Sequence, residues 1–469
     1  MLPEPFFDRA VESRQLEHTW QSPGAQLMTV WGRRRVGKST LLAHFATGKR
    51  AIYLYGTRIA ERDLLAALAL HVADVVGDDY LRTAPFPHWE AALTYLAQQA
   101  AKERLLVIFD EFPYLCEVTP GLDTLVQHWW DRIHRRGNLM VVLAGSAFSF
   151  MQGLTGYGGA LHGRRTAQLA VHPFDYSDAA FFYHGYAAPE RIHTYACYGG
   201  IPAYLHFIDP HAPLSENLLR TTLAPGHMLF REGEELLRTE FHQEALYSSI
   251  LRAIATGEER PSDIARAVGR HSANEIFDHL QRLLELRFLR REVPVTEMEQ
   301  ARNQRVLYRL ADPYLRFWFR FVSPFQSLLQ LGQGDVVWER EVQPALQEFV
   351  ARTTWEEVCA QHLWRRIAAK ALSAPVAQLG RWWDSRHEID LVGMWGGRVT
   401  LVGECKWTAS PVDEAVLLSL QLKAQKLPLD TAPLWVLASR SGFTPALQRR
   451  AQLDNVLLLG PDDLFALGG

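Results

Sequence analysis

The segment QLMTVWGRRRVGKST, residues 26–40, joins a compact apolar run to a Gly-rich loop, and the helix-like sequence STLLAHFA follows. The loop fits the pattern G-x-x-x-x-G-K-[ST] from Gly32 to Ser39. Glycines in this pattern let backbone N–H groups close around phosphate oxygens, and the start of the next helix adds a favourable dipole. We therefore predict a loop in which Lys38 reaches the β- and γ-phosphates of a nucleotide and Ser39 ligates Mg²⁺.

The residues of this loop predicted to bind ATP are Gly32, Val36, Gly37, Lys38, Ser39 and Thr40. A chance Gly-rich turn is the alternative, but the motif and its strand–loop–helix context agree, which favours the nucleotide site. Arg33, Arg34 and Arg35 occupy variable positions of the loop, and their default interpretation is solvated charge.

Apolar runs alternate with helix-like segments between residues 26 and 147. The runs are QLMTVWG, RAIYLYGT, RLLVIFDEF and NLMVVLAGSA. Compact apolar strands separated by helices with polar faces are typical of a parallel sheet that is covered by helices on both sides. We therefore predict an α/β fold for this part of the chain.

Acidic and polar residues end two of these runs. Asp110 and Glu111 follow LLVIF, and Ser146 follows LAG. Ligands of open parallel sheets lie at the carboxyl ends of the strands, so Asp110 is predicted to hold Mg²⁺ through water, Glu111 to polarise the attacking water, and Ser146 to sense the γ-phosphate. Arg164 and Arg165 precede another strand; either could stabilise transition-state charge, in cis or from a neighbouring subunit, and a surface basic pair is the equal alternative.

In this order, residues 32–40, VIFDEF, LAGSAFSF, GRRT and YGGIPAYL resemble the archaeal-type ATPases of the STAND class of P-loop NTPases. The resemblance runs from FFDRAVE to ADPYLRFWFRFV, about the first two thirds of the chain. It implies a five-stranded core, a helical lid, a winged helix, and switching controlled by ATP with Mg²⁺. It also implies that the turn at 200–202 lies near the nucleotide, and that the segment Phe7-Asp8-Arg9 touches the base, which adds Arg9 to the ATP-binding residues.

Residues 241–312 read as three amphipathic helices and a charged hairpin, the pattern of a winged helix. Helices that read DNA sequence usually expose Arg, Lys, Asn or Gln. The corresponding helix here carries Asn274 and Arg282, but also Glu275, Asp278 and Glu285. This mixed charge favours a packing or regulatory module over a base reader.

The segment LVGECKW, residues 401–407, places Glu404 and Lys406 on one face of a predicted strand and Cys405 on the other. The preceding strand carries Asp390. Two carboxylates facing each other, about 5 Å apart at the Cβ atoms, would attract a divalent cation such as Mg²⁺. Lys406 could then orient water or stabilise a pentacovalent phosphate.

That arrangement requires a particular hairpin register. A strict two-residue turn at Gly396-Gly397 would set apolar residues against charged ones. The hydrophobic pattern therefore favours an odd loop or an equivalent bulge, which places Leu391 opposite Gly403, Ile389 opposite Cys405 on an apolar face, and the two carboxylates on the other face.

An upstream helix predicted at about 342–370 adds Glu356. At about 100° per residue this side chain borders the apolar stripe formed by Phe349, Cys359 and Leu363, whereas Glu357 points away.

Together, Asp390, Glu404, Cys405 and Lys406 resemble the core of the PD-(D/E)XK nuclease superfamily, and Glu356 resembles its first-helix acid. The resemblance covers about the last 130 residues and implies a restriction-endonuclease-like α/β domain, with Asp390, Glu404, Lys406 and Glu356 as catalytic residues and the first two as metal ligands. The sequence departs from the family in having Ile389 where proline usually precedes the aspartate. The alternative is a Glu388–Lys406 ion pair with Asp390 at a solvated edge.

We thus predict an ATPase core at 1–174, a helical lid at 175–240, a winged-helix domain at 241–330 and the nuclease-like domain at 340–469. The length of 469 residues and the 48% hydrophobic content are ample for several cores. The four cysteines are far apart, which argues against a disulfide framework or a zinc site. The amino terminus shows no secretory signal and no apolar run is long enough to span a bilayer, so we expect a cytoplasmic protein without a membrane partner.

The net charge of −3 provides no global attraction to nucleic acid, so contact with DNA must come from local cations. The cations nearest to the predicted nuclease site are Lys423, Lys426, Arg381 and Arg386. The leading hypothesis is an Mg²⁺-dependent ATPase whose nucleotide state controls a nuclease-like domain acting on DNA. The alternative is a nucleotide-dependent switch that binds DNA or a protein partner without cleaving, and a homo-oligomer formed through the ATPase domain suits either.

Overall fold

The protein forms two compact units that divide between Pro173 and Phe174. The structure is a computed structural model that describes residues 9–134, 137–241, 244–299 and 305–466, without the side chain of Phe148. Phe7 and Asp8, predicted to lie near a nucleotide base, are outside these ranges. Within the described ranges, no helix combines the length and the apolar character that crossing a bilayer requires.

A five-stranded parallel sheet forms the centre of the first unit. Its strands are β1 (Gln26–Trp31), β2 (Ala51–Tyr55), β3 (Leu105–Asp110), β4 (Leu139–Gly145) and β5 (Ala167–Ala170). Their order is β2-β3-β4-β1-β5, and every neighbouring pair is parallel. The predicted parallel sheet is confirmed, with β4 between the strand that leads into the Gly-rich loop and the strand that ends in Asp110.

Helices accompany this sheet along the first unit. They are α1 (Ala10–Gln21), α2 (Lys38–Ala46), α3 (Glu61–Val76), α4 (Tyr80–Thr83), α5 (Trp89–Lys102), α6 (Phe112–Val118), α7 (Leu122–Ile133) and α8 (Phe148–Thr155). Leu27 and Val107 belong to one apolar cluster, whereas Met28 and Ile108 belong to another. Because consecutive side chains of a strand point to opposite faces, these clusters are the two buried layers that the apolar runs predict.

The second unit begins with a helical region. Its helices are α9 (Tyr176–Ala179), α10 (Ala188–Tyr198), α11 (Pro202–Leu205), α12 (Leu214–Arg220) and α13 (Met228–Glu240). Two glycines interrupt it within the segment YGGIPAYL. Gly199 has a φ of 66°, and a Cβ atom on Gly200 would lie 1.8 Å from the carbonyl oxygen of Phe174. Only glycine fits such a close approach of two backbones.

Three helices and an antiparallel hairpin follow, as predicted for residues 241–312. They are α14 (Glu244–Ala255), α15 (Pro261–Ala267), α16 (Phe277–Glu285), β6 (Leu289–Glu292) and β7 (Leu307–Leu310). A capping box in which Ser272 and Glu275 bond each other's backbone begins the short 3₁₀ turn that leads into α16.

A mixed five-stranded sheet ends the second unit. The helices α17 (Pro313–Phe317), α18 (Gln326–Gln330), α19 (Gly334–Val337), α20 (Gln343–Thr353) and α21 (Trp355–Ala368) lead into it. The remaining elements are β8 (Gln378–Trp383), β9 (Glu388–Trp395), β10 (Arg398–Lys406), α22 (Glu414–Ala424), β11 (Leu429–Ser439), α23 (Pro445–Leu453), β12 (Val456–Leu459) and α24 (Pro461–Phe465). The strand order is β12-β11-β10-β9-β8; β10, β11 and β12 are parallel, and β8 and β9 are antiparallel to their neighbours.

The single helix predicted at about 342–370 is wrong, because Thr354 separates α20 from α21. The preceding Thr353 donates its hydroxyl to the carbonyl of Phe349, 2.7 Å away, and the two threonine hydroxyls lie 3.1 Å apart. Such local side-chain bonds compete with helical backbone bonds. The break changes the phase of α21, so that Glu357, predicted to point away from the core, is instead buried.

Glu357 forms a largely buried ion cluster with Arg316, which is buried, and Arg290, which is partly exposed. Its carboxylate accepts from Arg290 at 2.8 Å and from Arg316 at 2.6 Å, and its side chain is only 12% exposed. Burial opposes the charged form of Glu357, yet the two guanidinium groups hold the pKa of its carboxyl below the ordinary value. The cluster connects α21 to the hairpin strand β6 and to α17.

We expect Glu357→Ala to destabilise the second unit by about 3 kcal/mol, because it leaves the buried guanidinium of Arg316 without its carboxylate. Urea unfolding followed by tryptophan fluorescence measures the change. The matched control is Glu348→Ala on α20, whose exposed pair with Arg352 spans 3.5 Å and is worth about 0.5 kcal/mol or less. Equal effects of the two variants would contradict a buried, cooperative cluster.

Candidate functional site

The Gly-rich loop joins β1 to α2 at the carboxyl edge of the parallel sheet. Gly37, just before α2, has a φ of 89°, which glycine adopts without strain. A Cβ atom on Gly32 would lie 2.3 Å from the carbonyl oxygen of Val171, so the start of the loop also requires glycine. The ammonium group of Lys38 folds back over the loop and donates to the carbonyls of Gly32 at 2.9 Å and Arg33 at 3.2 Å. The loop therefore holds a buried cation at its centre, as phosphate binding requires.

Lys38 lies within electrostatic range of both predicted acids. Burial lowers the pKa of its ammonium group, the charges of Glu111 and Asp110 oppose that effect, and the positive charge of Arg34 adds to it. The fold thus brings the loop lysine and the two strand-end carboxylates together, as the sequence predicts. Of the other loop residues, Val36 is buried, whereas Ser39 and Thr40 are exposed on the first turn of α2.

A tyrosine that sequence reasoning missed connects Asp110 to Ser39. Asp110 is fully buried, and its carboxylate accepts from the Tyr53 hydroxyl at 2.6 Å and from the N–H of Glu111 at 3.0 Å. The Tyr53 hydroxyl also bonds the side chain of Ser39; burial and the nearby Asp110 charge raise the pKa of Tyr53, so the hydroxyl keeps its proton. The sequence does contain a sign of this contact, because Tyr53 places a hydroxyl group inside the apolar run AIYLY. This run forms β2, the strand beside β3.

Ser39 and Asp110 therefore both lie close to the Tyr53 hydroxyl. Ser39 offers its hydroxyl oxygen and Asp110 its carboxylate oxygens. Oxygen ligands of this kind are those that Mg²⁺ prefers. These two residues fit the predicted magnesium site.

Glu111 and Ser146 are in direct contact. Glu111 turns the chain after β3 with a φ of 48°, a left-handed conformation unusual for a side chain other than glycine or asparagine. One carboxylate oxygen accepts from the Ser146 N–H at 3.2 Å and from its hydroxyl at 2.9 Å. The predicted water-activating residue and the predicted phosphate sensor thus hold each other at the ends of neighbouring strands β3 and β4.

Arg9 supports the loop from the start of α1. Its guanidinium donates to the carbonyl of Val36 at 2.7 Å and to that of His172 at 2.7 Å, and it pairs with Glu12 at 2.9 Å. Arg9 is 7% exposed. In this arrangement its donors hold the backbone beneath the predicted phosphate site.

The structure does not bring Arg164 and Arg165 to the nucleotide edge of their own subunit. Both precede β5, and Thr166 donates its N–H to Leu27 near the start of the parallel strand β1. They therefore lie at the amino edge of the sheet, opposite the Gly-rich loop. Arg164 pairs with Asp131 at 2.7 Å, and Arg165 donates to a threonine hydroxyl at 3.1 Å.

In the second unit, the hairpin between β9 and β10 has the predicted register. Leu391 lies opposite Gly403, because a bulge between Val399 and Leu401 follows the two-glycine turn. The equivalent bulge expected from the hydrophobic pattern is confirmed.

A second bulge, in β9 itself, was not predicted. The register of β9 against β8 shifts by one residue at Asp390 and Leu391, which turns both side chains into one cavity. Ile389 and Cys405, predicted to share an apolar face, consequently belong to different apolar clusters. That part of the prediction is wrong, because the bulge reverses the alternation of side chains at Asp390.

Asp390 and Glu404 therefore lie on opposite faces of the sheet. Glu404 lies on the face of α22, where its carboxylate contacts Lys406 at 2.6 Å and Lys423 at 3.1 Å. Asp390 lies on the face of α21, and its carboxylate accepts from the N–H of Cys405 at 2.8 Å. The predicted placement of both carboxylates on one face is wrong, and the pair does not form the cation site inferred from the sequence.

Arginine neutralises the other acids near Asp390. A cavity of about 520 Å³ is lined by Asp390, Glu356 and Arg381, among other residues. The guanidinium of Arg381 lies 3.1 Å from Glu356 and 3.3 Å from Glu292 of β6, and it also pairs with Glu388. The first-helix acid predicted from the sequence is thus close to Asp390, but an internal cation already occupies its carboxylate.

The described residues contain no group of three or more His, Cys, Asp or Glu side chains arranged to hold a metal ion. In the second unit, the predicted metal ligands are divided between two faces and Glu404 is paired with lysines. This donor set does not fit a metal, and no step of a reaction can be derived through one there.

Two stretches of the chain match profiles of known protein families. Residues 6–208 match a sequence profile described as an ATPase domain predominantly from Archaea. This part of the chain is therefore similar to ATPase domains of archaeal type. Residues 318–417 match a second profile, described as archaea bacterial proteins of unknown function.

Two relatives extend this likeness along the chain. An uncharacterized protein of Methanocaldococcus jannaschii is 26% identical over 406 residues, which cover 86% of this chain and 87% of the relative. A Walker-type ATPase of Pyrococcus abyssi superposes with a TM-score of 0.54 at 23% identity, over 67% of this chain and 96% of that structure. At this identity the second likeness shows a shared fold.

We expect Asp390→Asn to stabilise the protein at high pH. Burial and the charges of Glu356 and Glu404 raise the pKa of Asp390 to about 7, above the value of about 3.9 in an unfolded chain. The folded state therefore binds the proton more tightly, and this contribution to stability is full below about pH 4 and lost as the pH rises to about 7. At about pH 8 the variant should be more stable by about 2–4 kcal/mol, and near pH 4 by little.

Urea unfolding at about pH 4, 6 and 8 measures this difference. The control is Asp430→Asn, an exposed carboxylate on β11 of the same sheet. A wild-type and variant difference that does not change with pH would contradict the raised pKa of Asp390.

Proposed function

We propose that the protein is an Mg²⁺-dependent ATPase that acts as a nucleotide-controlled switch. The observation that carries the proposal is the convergence of Lys38, Asp110, Glu111 and Ser146 at one edge of the parallel sheet. These groups supply a cation for phosphate, a buried carboxylate, a group to polarise water, and a donor for the γ-phosphate. The match of residues 6–208 to an ATPase domain supports the same activity.

The proposed reaction is hydrolysis of the bond between the β- and γ-phosphates. The water oxygen bonds to the γ-phosphorus as the bond to the bridging oxygen breaks; ADP leaves with that electron pair, and the water proton passes to a phosphate oxygen. Glu111 orients the water, and Lys38 compensates charge on the β- and γ-phosphate oxygens. Ser39 and Asp110 would hold Mg²⁺, which would supply further charge compensation to the phosphate oxygens.

The contact between Ser146 and Glu111 offers a way for the nucleotide to control turnover. Ser146 donates both its N–H and its hydroxyl to Glu111. A γ-phosphate that takes either donor leaves Glu111 freer to turn toward water. The nucleotide itself would thus complete the hydrolytic arrangement.

We expect Lys38→Ala to weaken ATP binding at least about tenfold and to abolish measurable turnover, because the loop loses its buried cation. Isothermal titration calorimetry with ATP and release of inorganic phosphate measure the two effects. The matched control is Lys102→Ala, an exposed lysine on α5 of the same unit. If Lys38→Ala leaves both the affinity and the turnover unchanged, the nucleotide site is misassigned.

For the second unit, we propose a helical lid at 175–240, a winged-helix domain at 241–330 and a nuclease-like domain at 340–469. The order of elements supports the nuclease-like assignment; it runs α21, β8, β9, β10, α22, β11. Asp390 and Glu404-x-Lys406 lie on neighbouring strands, and α21, which carries Glu356, precedes them. We propose nucleic acid, DNA first, as the partner of this domain, and a cytoplasmic location for the whole.

The division of the acids favours binding over cleavage. Asp390 and Glu404 lie on opposite faces, and Lys406 and Lys423 neutralise Glu404. We therefore propose that ATP controls a module that binds DNA or a protein partner without cutting. Metal-dependent DNA cleavage is the second candidate, and the retained order of Asp390, Glu404 and Lys406 is the observation in its favour.

We expect no nicking of supercoiled DNA by the wild type in Mg²⁺ or Mn²⁺, since Asp390 and Glu404 lie on opposite faces of the sheet and Lys406 and Lys423 pair with Glu404. Gel assays with single-stranded, duplex and branched DNA, with and without ATP, check both cleavage and binding. Metal-dependent nicking that disappears in Lys406→Ala and persists in Lys38→Ala would contradict the binding-only proposal and establish the nuclease. If the protein binds DNA without nicking it, and both Lys406→Ala and Lys38→Ala still bind DNA, the result agrees with the binding-only proposal.

A further inference from the structure

Hydrolysis of ATP develops negative charge on the transferring phosphoryl group, and P-loop enzymes usually meet it with an arginine. Arg164 and Arg165 lie at the amino edge of the sheet and are bound to other groups of their own unit. Within one subunit they are on the far side from the Gly-rich loop. The proposed ATPase site therefore requires another cation if it is to supply this charge in cis.

Arg34 is carried by the phosphate loop itself. Its guanidinium donates to the hydroxyl of Tyr114 on α6, the helix that begins directly after Glu111. The ring of Tyr114 is in turn covered by the guanidinium of Arg58, 4.5 Å from its centroid, and Arg58 pairs with Glu117 at 3.0 Å. The Gly-rich loop and α6 thus hold Arg34 at the carboxyl edge of the sheet, on the same side as Glu111.

The guanidinium of Arg34 is close enough to Lys38 and Tyr55 for its charge to act on both side chains. Its charge contributes to lowering the pKa of Lys38, and it acts on Tyr55, the last residue of β2, which also responds to the charges of Asp110 and Glu111. Two cations, Arg34 and Lys38, are therefore kept near each other and near the strand-end acids. A polyphosphate between them would relieve their mutual repulsion.

We propose that Arg34 is the cis-acting arginine that stabilises the transferring γ-phosphoryl group, and that Tyr114 is the residue that positions it. The inference rests on the proposed ATPase function. Arg34 approaches the equatorial oxygens of the γ-phosphate from the loop, while Lys38 remains on the β- and γ-phosphates. Charge on those oxygens increases in the transition state, so the guanidinium contributes more to turnover than to binding of ATP.

The test compares Arg34→Gln with Arg35→Gln in the full chain. Arg35 is exposed in the same loop, so its variant removes one charge without removing the contact to Tyr114. We expect Arg34→Gln to lower kcat about 10³-fold while the affinity for ATP changes by less than about threefold. Arg35→Gln should keep the wild-type kcat. Tyr114→Phe should lower kcat by a smaller factor, again with little change in affinity.

A second measurement does not need turnover. ADP with aluminium fluoride mimics the planar phosphoryl group, and its binding is followed by calorimetry beside binding of ADP alone. We expect Arg34→Gln to lose the aluminium-fluoride-dependent gain in affinity and to keep ADP binding, whereas Arg35→Gln keeps both. The thermal unfolding midpoints of the variants verify that the loop still folds.

The outcomes separate this proposal from the one on which it rests. If Arg34→Gln retains kcat and the aluminium fluoride gain, or if Arg35→Gln loses them equally, the assignment of Arg34 is overturned while the ATPase stands. Absence of ATP binding in the wild type would instead remove the ATPase proposal. A parallel loss of ADP affinity and kcat in Arg34→Gln would make Arg34 a general phosphate contact and also overturn the transition-state role.

Discussion

The parallel register of β1, β3 and β4 is the constraint on which the nucleotide site depends. Trp31 lies beside Gly145, and Phe109 lies beside Leu143, so the three strands end at the same level. The residues that directly follow each strand therefore lie close together at one edge of the sheet. Burial of Asp110 and of the Lys38 ammonium group is a consequence of this alignment, because the sheet and its helices exclude water around them.

Features encoded by local pattern were predictable from the sequence. The phosphate loop, the four apolar runs that became β1 to β4, and the bulge after the β9–β10 turn all follow from motifs a few residues long. Each depends on a local rule, such as the need for glycine where backbones meet or the separation of apolar from charged faces. The strand-end position of Asp110 followed from the same reasoning.

Features that depend on tertiary partners were not predictable. The contact of Tyr53 with Asp110 crosses from one strand to its neighbour, and the burial of Glu357 depends on arginines far away in the sequence. The bulge at Asp390 is set by pairing with β8, which the hairpin sequence does not reveal. That one extra residue turns the Asp390 side chain to the face of α21, so that Asp390 and Glu404 do not share a face as the sequence predicts.

Arg381 has a mechanical consequence for the second unit. Its guanidinium joins Glu292 on the β6–β7 hairpin to Glu356 on α21 and Glu388 on β9. A hinge between the hairpin and the terminal sheet would have to pull apart these partly buried charges before it could open. The hairpin and the sheet should consequently move together as one rigid body.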